Sequence, residues 1–358
     1  RFGGGVRRYA KVGASAGKLA ARLATGKMFG GDIDHSKYAA ELTSALGGLK
    51  GPLMKVAQIL STIPDALPKE YTQALATLQA DAPSMGWLFV KRRMRTELGA
   101  GWQEKFTDFS RDAVAAASLG QVHRATLDDG RTVACKLQYP DMSATVEADL
   151  KQLRAAFAIY RRYDSAIDAE NIQLELTARL REELDYEREA RNMQLYRHMV
   201  ADENCVHVPE PVMDLTTKRL LTMTWQTGQK FQKFLDSDPS QEARNQVALN
   251  MFRAWYVPFY RYGVIHGDPH LGNYSLRDDL SVNLLDFGCI RIFPPAFVNA
   301  VITLYEALRD KDEEKAVHAY QSWGFDNPSR ELIDVLNIWA GFVYGPILDD
   351  RERRMDET

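Results

Sequence analysis

The sequence predicts an α+β fold in two lobes, on three observations. Helical periodicity runs from Tyr38 to about Gln79 and returns over Trp87–Leu98, the period changes to that of short strands between Ala113 and Gln138, and helices dominate again from Met142 onward. Within the first stretch, Gly47-Gly48, Gly51-Pro52, Pro64 and Pro68 cut the pattern into short helices, because proline cannot continue the backbone ladder. A further helix spans Trp87 to Leu98 and stops at Gly99-Ala100-Gly101. Ala113–Ser118, Gln121–Leu127 and Thr132–Gln138 then read as strands, the last two joined by Asp128-Asp129-Gly130, where glycine supplies the positive φ of a tight hairpin. This is a small antiparallel sheet.

A long helical stretch follows from about Met142 to Val200, with a division expected near Asp164 to Asp168. Val206–Val212, carrying Pro209 and Pro211, reads as an irregular edge strand, and Arg219–Trp225 as a better one that ends at Gly228. A helix from Ser240 to Tyr262 leads into a loop dense in His, Asp, Pro and Gly, then a buried strand at Val282–Asp286. The remainder, to about Leu348, is helical. Its last segment, Leu332–Leu348, is expected to be a buried helix, with a membrane-facing helix as the alternative because Trp and Tyr suit an interface.

Composition narrows the function classes. With 358 residues, 45% of them hydrophobic and 26% charged, disordered and collagen-like chains are excluded. A net charge of -3 gives no basic field for nucleic acid. That total hides an asymmetry: residues 1–31 hold seven Lys or Arg and no acid, so the remainder carries -10. A basic, weakly apolar arm of this kind reads either as a solvated terminus or as an arm lying on an anionic lipid surface. Three scattered cysteines, Cys135, Cys205 and Cys289, form neither a disulfide framework nor a paired zinc set, and a reducing compartment is expected. No run of 18 apolar residues occurs.

The chemistry concentrates in His266-Gly267-Asp268-Pro269-His270-Leu271-Gly272-Asn273, followed thirteen residues after Asn273 by Asp286-Phe287-Gly288. Phosphoryl transfer needs an oriented acceptor oxygen and metal ions on the phosphate oxygens. Asp268 suits the first task, and Asn273 with Asp286 suits the holding of Mg²⁺, at the spacing of the H-R-D-x-x-x-x-N and D-F-G elements of protein kinases. Upstream, Val133-Ala134-Cys135-Lys136 places Lys136 on the third predicted strand, where the kinase pattern V-A-I-K puts its phosphate-holding lysine. Glu183, Asp185 and Glu189, in the charged run Arg181–Asn192, are candidates for its glutamate partner. The expected glycine-rich phosphate loop is replaced by Ala115-Ala116-Ala117-Ser118, which restricts φ and changes how nucleotide is held. Met223 and Trp225, at the end of the strand between the lobes, are candidates for the adenine hinge.

Taken in this order, the motifs resemble the UbiB/AarF family of atypical kinases associated with coenzyme Q biosynthesis. The alanine loop, the E-x-D run, H-G-D-P-H-x-G-N and D-F-G carry the resemblance, along with an N-terminal K-x-G-Q helix that here reads Lys55-Val56-Ala57-Gln58. Ala57 departs from the usual glycine. The resemblance implies a two-lobed protein-kinase-like fold with an N-terminal helical extension and extra helices in the C-lobe. Its expected boundaries are a basic arm over 1–37, the extension over 38–111, the N-lobe with inserted helices over 112–228 and the C-lobe over 229–358. It further implies ATP or ADP with Mg²⁺ as cofactors, and a regulatory Lys55 and Gln58 helix facing Glu183 and Asp185, which leaves Glu189 to Lys136. Isoprenoid lipid, an anionic membrane surface and ubiquinone-biosynthesis proteins are the implied partners. The implied location is cytoplasmic and peripheral to the inner membrane in a bacterium, or the mitochondrial matrix in an organelle. The segment after Asp286-Phe287-Gly288 lacks an A-P-E element, which speaks against protein substrates. Two alternatives stand beside this reading: a small-molecule kinase of the aminoglycoside or choline type, and a nucleotide-sensing scaffold without turnover.

Overall fold

The computed structural model describes residues 85–117, 119–147, 150, 169–349 and 351, which divide between two units. The first unit holds the described residues up to Leu195, with Val208–Thr227 and Leu285–Cys289. It starts with α1 (Trp87–Leu98), whose Val90 and Met94 are fully buried at helical spacing and whose end is turned by Gly99 at φ 87°. Strand β1 (Phe106–Phe109) goes beyond the predicted set. Four residues are too few to show alternation, and edge-to-face packing among Trp102, Phe106 and Phe109 fixes it instead.

Strands β2 (Ala115–Ala117), β3 (Gly120–Leu127) and β4 (Thr132–Gln138) follow. Gly130, at φ 85°, closes the β3–β4 hairpin as the sequence requires. Two helices come next, α2 (Ala169–Glu182) and α3 (Tyr186–Met199). The division predicted near Asp164–Asp168 lies outside the described residues. A break occurs at residues 183–185, where the Asp185 carboxylate accepts the Arg188 backbone N–H at 3.0 Å and caps α3. The E-x-D run, expected on a helix, therefore occupies a turn and an N-cap.

Strand β5 (Val206–His207), part of the second unit, precedes β6 (Leu220–Thr224). The edge strand predicted over 206–212 shrinks to two residues, and Pro211 adds only an isolated bridge to Met223, because its prolines cannot donate to a ladder. The antiparallel sheet of the first unit runs β1-β3-β4-β6, with β2 on β3. Val133, Cys135 and Leu137 of β4 enter an apolar core with Val90, Met94, Trp102 and Phe106. Alternate residues of a strand face opposite ways, so Ala134, Lys136 and Gln138 belong to the other face.

The second unit holds Tyr196–His207, Gly228–Leu284 and the described residues from Ile290. After β7 (Gln229–Lys230) and α4 (Phe231–Asp236), α5 (Gln241–Tyr262) begins at a Ser240 side chain that accepts the Ala243 N–H and ends at Gly263 with φ 69°. Strands β8 (Val264–His266), β9 (Tyr274–Leu276), β10 (Val282–Leu284) and β11 (Ile290–Ile292) form a four-stranded sheet, β5-β10-β9-β7, and a separate β8–β11 pair. Helices α6 (Pro295–Asp310), α7 (Glu313–Ser322) and α8 (Arg330–Leu348) then share a core of Ala300, Leu304, Ala316, Tyr320, Ala340 and Tyr344.

The expectation of a buried last helix is corrected. Only Ala340 and Tyr344 of α8 are buried, Asn337 accepts the Tyr320 hydroxyl at 2.9 Å, and the opposite face leaves Ile338 74% and Phe342 79% exposed. Length and apolarity alone could not show this, because they describe the whole helix, whereas packing claims one stripe of it. At 19 residues and mean hydropathy 1.3, α8 is long and apolar enough to cross a membrane.

Candidate active site

Register across the sheet decides what Lys136 faces. It pairs with Val122 of β3 and Leu221 of β6 and, with alternate strand residues pointing opposite ways, is turned from the apolar core toward α3. There its Nζ donates to both Glu189 oxygens, at 2.8 and 3.0 Å, and to Asp286 Oδ2 at 2.9 Å. Lys136 and Glu189 are nearly sealed, at 8% and 4% side-chain exposure, whereas Asp286 keeps 26%. Of the three candidate partners of the lysine, the structure brings Glu189 to it.

One ammonium here faces two carboxylates. Burial is the largest influence on Glu189 and pushes its carboxyl up to about 7, with Asp286 repulsion adding to it and Lys136 opposing. Burial alone would lower Lys136, but Asp286 and Glu189 hold it well above the usual lysine range. The cluster carries surplus negative charge, and Asp286, its most open member, is the natural contact for a cation. Among the described residues no group of three or more His, Cys, Asp or Glu could hold a metal by itself. Mg²⁺ usually takes one or two carboxylates and completes its shell with phosphate and water.

Helix α3 also fixes Asp286-Phe287-Gly288. Glu189 Oε1 accepts the Phe287 N–H at 3.4 Å, and Asn192, one turn on, donates to the Phe287 carbonyl at 3.0 Å. Phe287 is fully buried. Asn192 was not a candidate; its i+3 spacing from Glu189 is the signal that could have found it. Glu183 and Asp185 do not contact Lys136; the Glu183 side chain lies beside Gly288.

The alanine segment forms part of the strand expected over Ala113–Ser118: Ala115, Ala116 and Ala117 pair with Val122, Gln121 and Gly120. Ser118 lies outside the described residues, as do Lys55 and Gln58. Met223 is buried opposite Ala134, and Trp225 donates its backbone N–H to the Thr132 carbonyl at 2.9 Å beneath the Arg124 guanidinium. Cys135, behind Lys136, is fully buried, and desolvation pushes its thiol up to about 12. A thiol reagent at pH 8 is therefore expected to leave Cys135 unmodified in the folded protein and to label it after denaturation, as peptide mass spectrometry would show. Labelling of the native protein at Cys135 would contradict this burial.

In the second unit, His266 ends β8, fully buried, with Trp255 stacked at 6.1 Å and Tyr196 edge-on at 6.2 Å. Its Nδ1 accepts the Asp268 N–H at 3.4 Å. Asp268 Oδ1 accepts the His270 N–H at 3.2 Å, and the Asp268 carbonyl accepts from the Tyr274 hydroxyl at 3.0 Å and from Asn273 Nδ2 at 3.4 Å. The Trp255 indole in turn donates to that hydroxyl at 3.1 Å. The loop is thus held through its backbone, and Asp268 and Asn273 come from one rigidly bonded turn.

A five-stranded antiparallel sheet whose lysine is clamped by a helix glutamate and by the aspartate of Asp-Phe-Gly, with an H-G-D-P-H-x-G-N turn on a helical unit, defines a kinase-like phosphotransferase fold. The profile of the ABC1 atypical kinase-like domain matches residues 77–320, and the chain belongs to that family, the UbiB group of atypical kinases. It is 30% identical over 274 residues to the atypical kinase COQ8, mitochondrial, of Saccharomyces cerevisiae, covering 75% of this chain and 54% of that protein. With the atypical kinase COQ8B, mitochondrial, of Rattus norvegicus it shares 30% over 325 residues, covering 88% and 61%. The chain thus spans about half the length of these curated relatives. Among solved structures, the complex of Rv3197 with erythromycin from Mycobacterium tuberculosis superposes with a TM-score of 0.58 at 27% identity, covering 95% of this chain and 88% of that one.

Proposed function

We propose that this protein binds ATP or ADP with Mg²⁺, hydrolyses ATP or transfers its phosphoryl group, and supports ubiquinone biosynthesis at a membrane surface. The observation that carries the reading is the Lys136 ammonium held between Glu189 and Asp286. An ammonium fixed in this way is a preset contact for phosphate oxygens. Asn273 and Asp286 are the residues that would hold the metal, and bound Mg²⁺ would neutralise the charge of the transferring phosphate. Asp268 orients the acceptor, water or a hydroxyl, and accepts its proton. Met223 and Trp225 meet the adenine, the Ala115–Ala117 strand and Ser118 cover the phosphates, and Lys55 with Gln58 restrict the acceptor side through Glu183 and Asp185.

The exposed apolar stripe of α8 supports attachment to a membrane surface, where its Trp339 and Phe342 gain more than in water. The names of the yeast and rat relatives place those proteins in mitochondria and carry the coenzyme Q assignment that we extend here. Phosphate release with Mg²⁺ and ATP, measured with and without vesicles containing anionic lipid, tests the reading. We expect metal-dependent release that vesicles increase, and a loss of at least about a hundredfold in Asp286→Asn, the scale on which deleting one preorganised charge contact lowers turnover. No metal-dependent release under any condition would sink the catalytic reading; release untouched by Asp286→Asn would remove that residue from the metal site.

A further inference from the structure

Tyr186, the first residue of α3, is 1% exposed, and its phenol oxygen has no hydrogen-bond partner among the described residues. Three other buried tyrosines do not share that state. Tyr196 donates to the Ala254 carbonyl at 2.7 Å, Tyr320 to Asn337 at 2.9 Å and Tyr344 to the Val301 carbonyl at 3.2 Å. A tyrosine serving only to pack gains nothing from an unpaired hydroxyl, since phenylalanine fills the same space without the desolvation cost.

The position of the hydroxyl gives it a task. Gly120 pairs with Gln138 and Val122 with Lys136, so Gly120 and Lys136 lie on one face of the sheet. A Cβ on Gly120 would stand 3.0 Å from the Tyr186 oxygen, and Lys136 Nζ sits 5.1 Å from the centre of the Tyr186 ring. The hydroxyl therefore lies against the bare backbone that ends the alanine hairpin, on the face that presents the lysine. It is a neutral donor beside a cation, a pairing suited to an anionic oxygen.

We propose that Tyr186 is a phosphate-binding residue, its hydroxyl donating to a nucleotide phosphate oxygen that Lys136 also holds. The proposal rests on the nucleotide reading above. Calorimetric titration of ATP and ADP with Mg²⁺, and of adenosine, into the parent and Tyr186→Phe tests it. The expected result is about tenfold weaker binding of ATP and ADP, the scale of one hydrogen bond, with adenosine unaffected. Nucleotide-free Tyr186→Phe should unfold at the same or a higher temperature, because it loses only an unpaired group. A structural tyrosine would show the reverse, lower stability with unchanged phosphate dependence. ATP and ADP affinities within twofold of the parent overturn the proposal alone. A parent that binds neither nucleotide overturns it together with the nucleotide reading.

Discussion

Lys136→Met is expected to lower the thermal midpoint of the nucleotide-free protein by roughly 10 °C and to abolish measurable ATP binding. The substitution removes three hydrogen bonds and leaves Glu189 and Asp286 facing each other without a cation. Breaking a buried ion pair on one side costs about 3–5 kcal/mol, and in a domain of this size each kcal/mol moves the midpoint by about 2–4 °C. Glu189 answers by taking up a proton. Its carboxyl already sits up at about 7, with Lys136 acting to lower it, so losing the lysine raises it further. A carboxyl raised above its unfolded value adds stability that is present at low pH and lost as pH rises through the folded value. The variant should therefore be more stable at pH 6 than at pH 8. Scanning calorimetry at the two values checks this, and a second change, Glu189→Leu, should restore part of the midpoint without restoring nucleotide. If the single variant melts with the parent at both values, the cluster is not a buried ion-pair network.

Gly120→Ala is the second large effect, with a loss of about 3 kcal/mol, at the upper end of the usual cost of overpacking. A Cβ there would lie 2.3 Å from the Leu137 carbonyl oxygen and 2.9 Å from its carbon, both main-chain atoms of the neighbouring strand. No rotamer change relieves a backbone overlap. The β3–β4 pair would have to part at the end that carries Gly120, next to Lys136, so ATP affinity should fall along with stability. Gly341→Ala is the control: nothing lies within 4 Å of its missing Cβ, and alanine in a helix interior is favoured over glycine by about 1 kcal/mol. Chemical denaturation of both variants would decide it. Equal stability of Gly120→Ala and the parent would show that the strands yield more easily than their register implies.

Most of the candidate site was proposed from sequence because its chemistry is local. His266–Asn273 and Asp286–Gly288 declare themselves by side-chain type and spacing, and V-A-C-K follows a hairpin signal that Gly130 fulfils. β1 escaped because four residues show no period, and Asn192 because its partner is a main-chain carbonyl 95 residues away. Asp185 was legible as a charge but not as a cap, since a capping role depends on where a helix starts.

By itself the sequence determined the main succession of helices and strands, the turn at Gly130 and which residue types phosphate chemistry could use, because backbone propensity and side-chain reactivity travel with the residue. The tertiary structure alone decided which of three acids reaches Lys136, which face of α8 is left to solvent, and that Tyr186 lies with an unpaired hydroxyl beneath Gly120. Those outcomes depend on strand register and on the angle at which a helix meets a sheet. A shift of one residue would turn Lys136 to the apolar core.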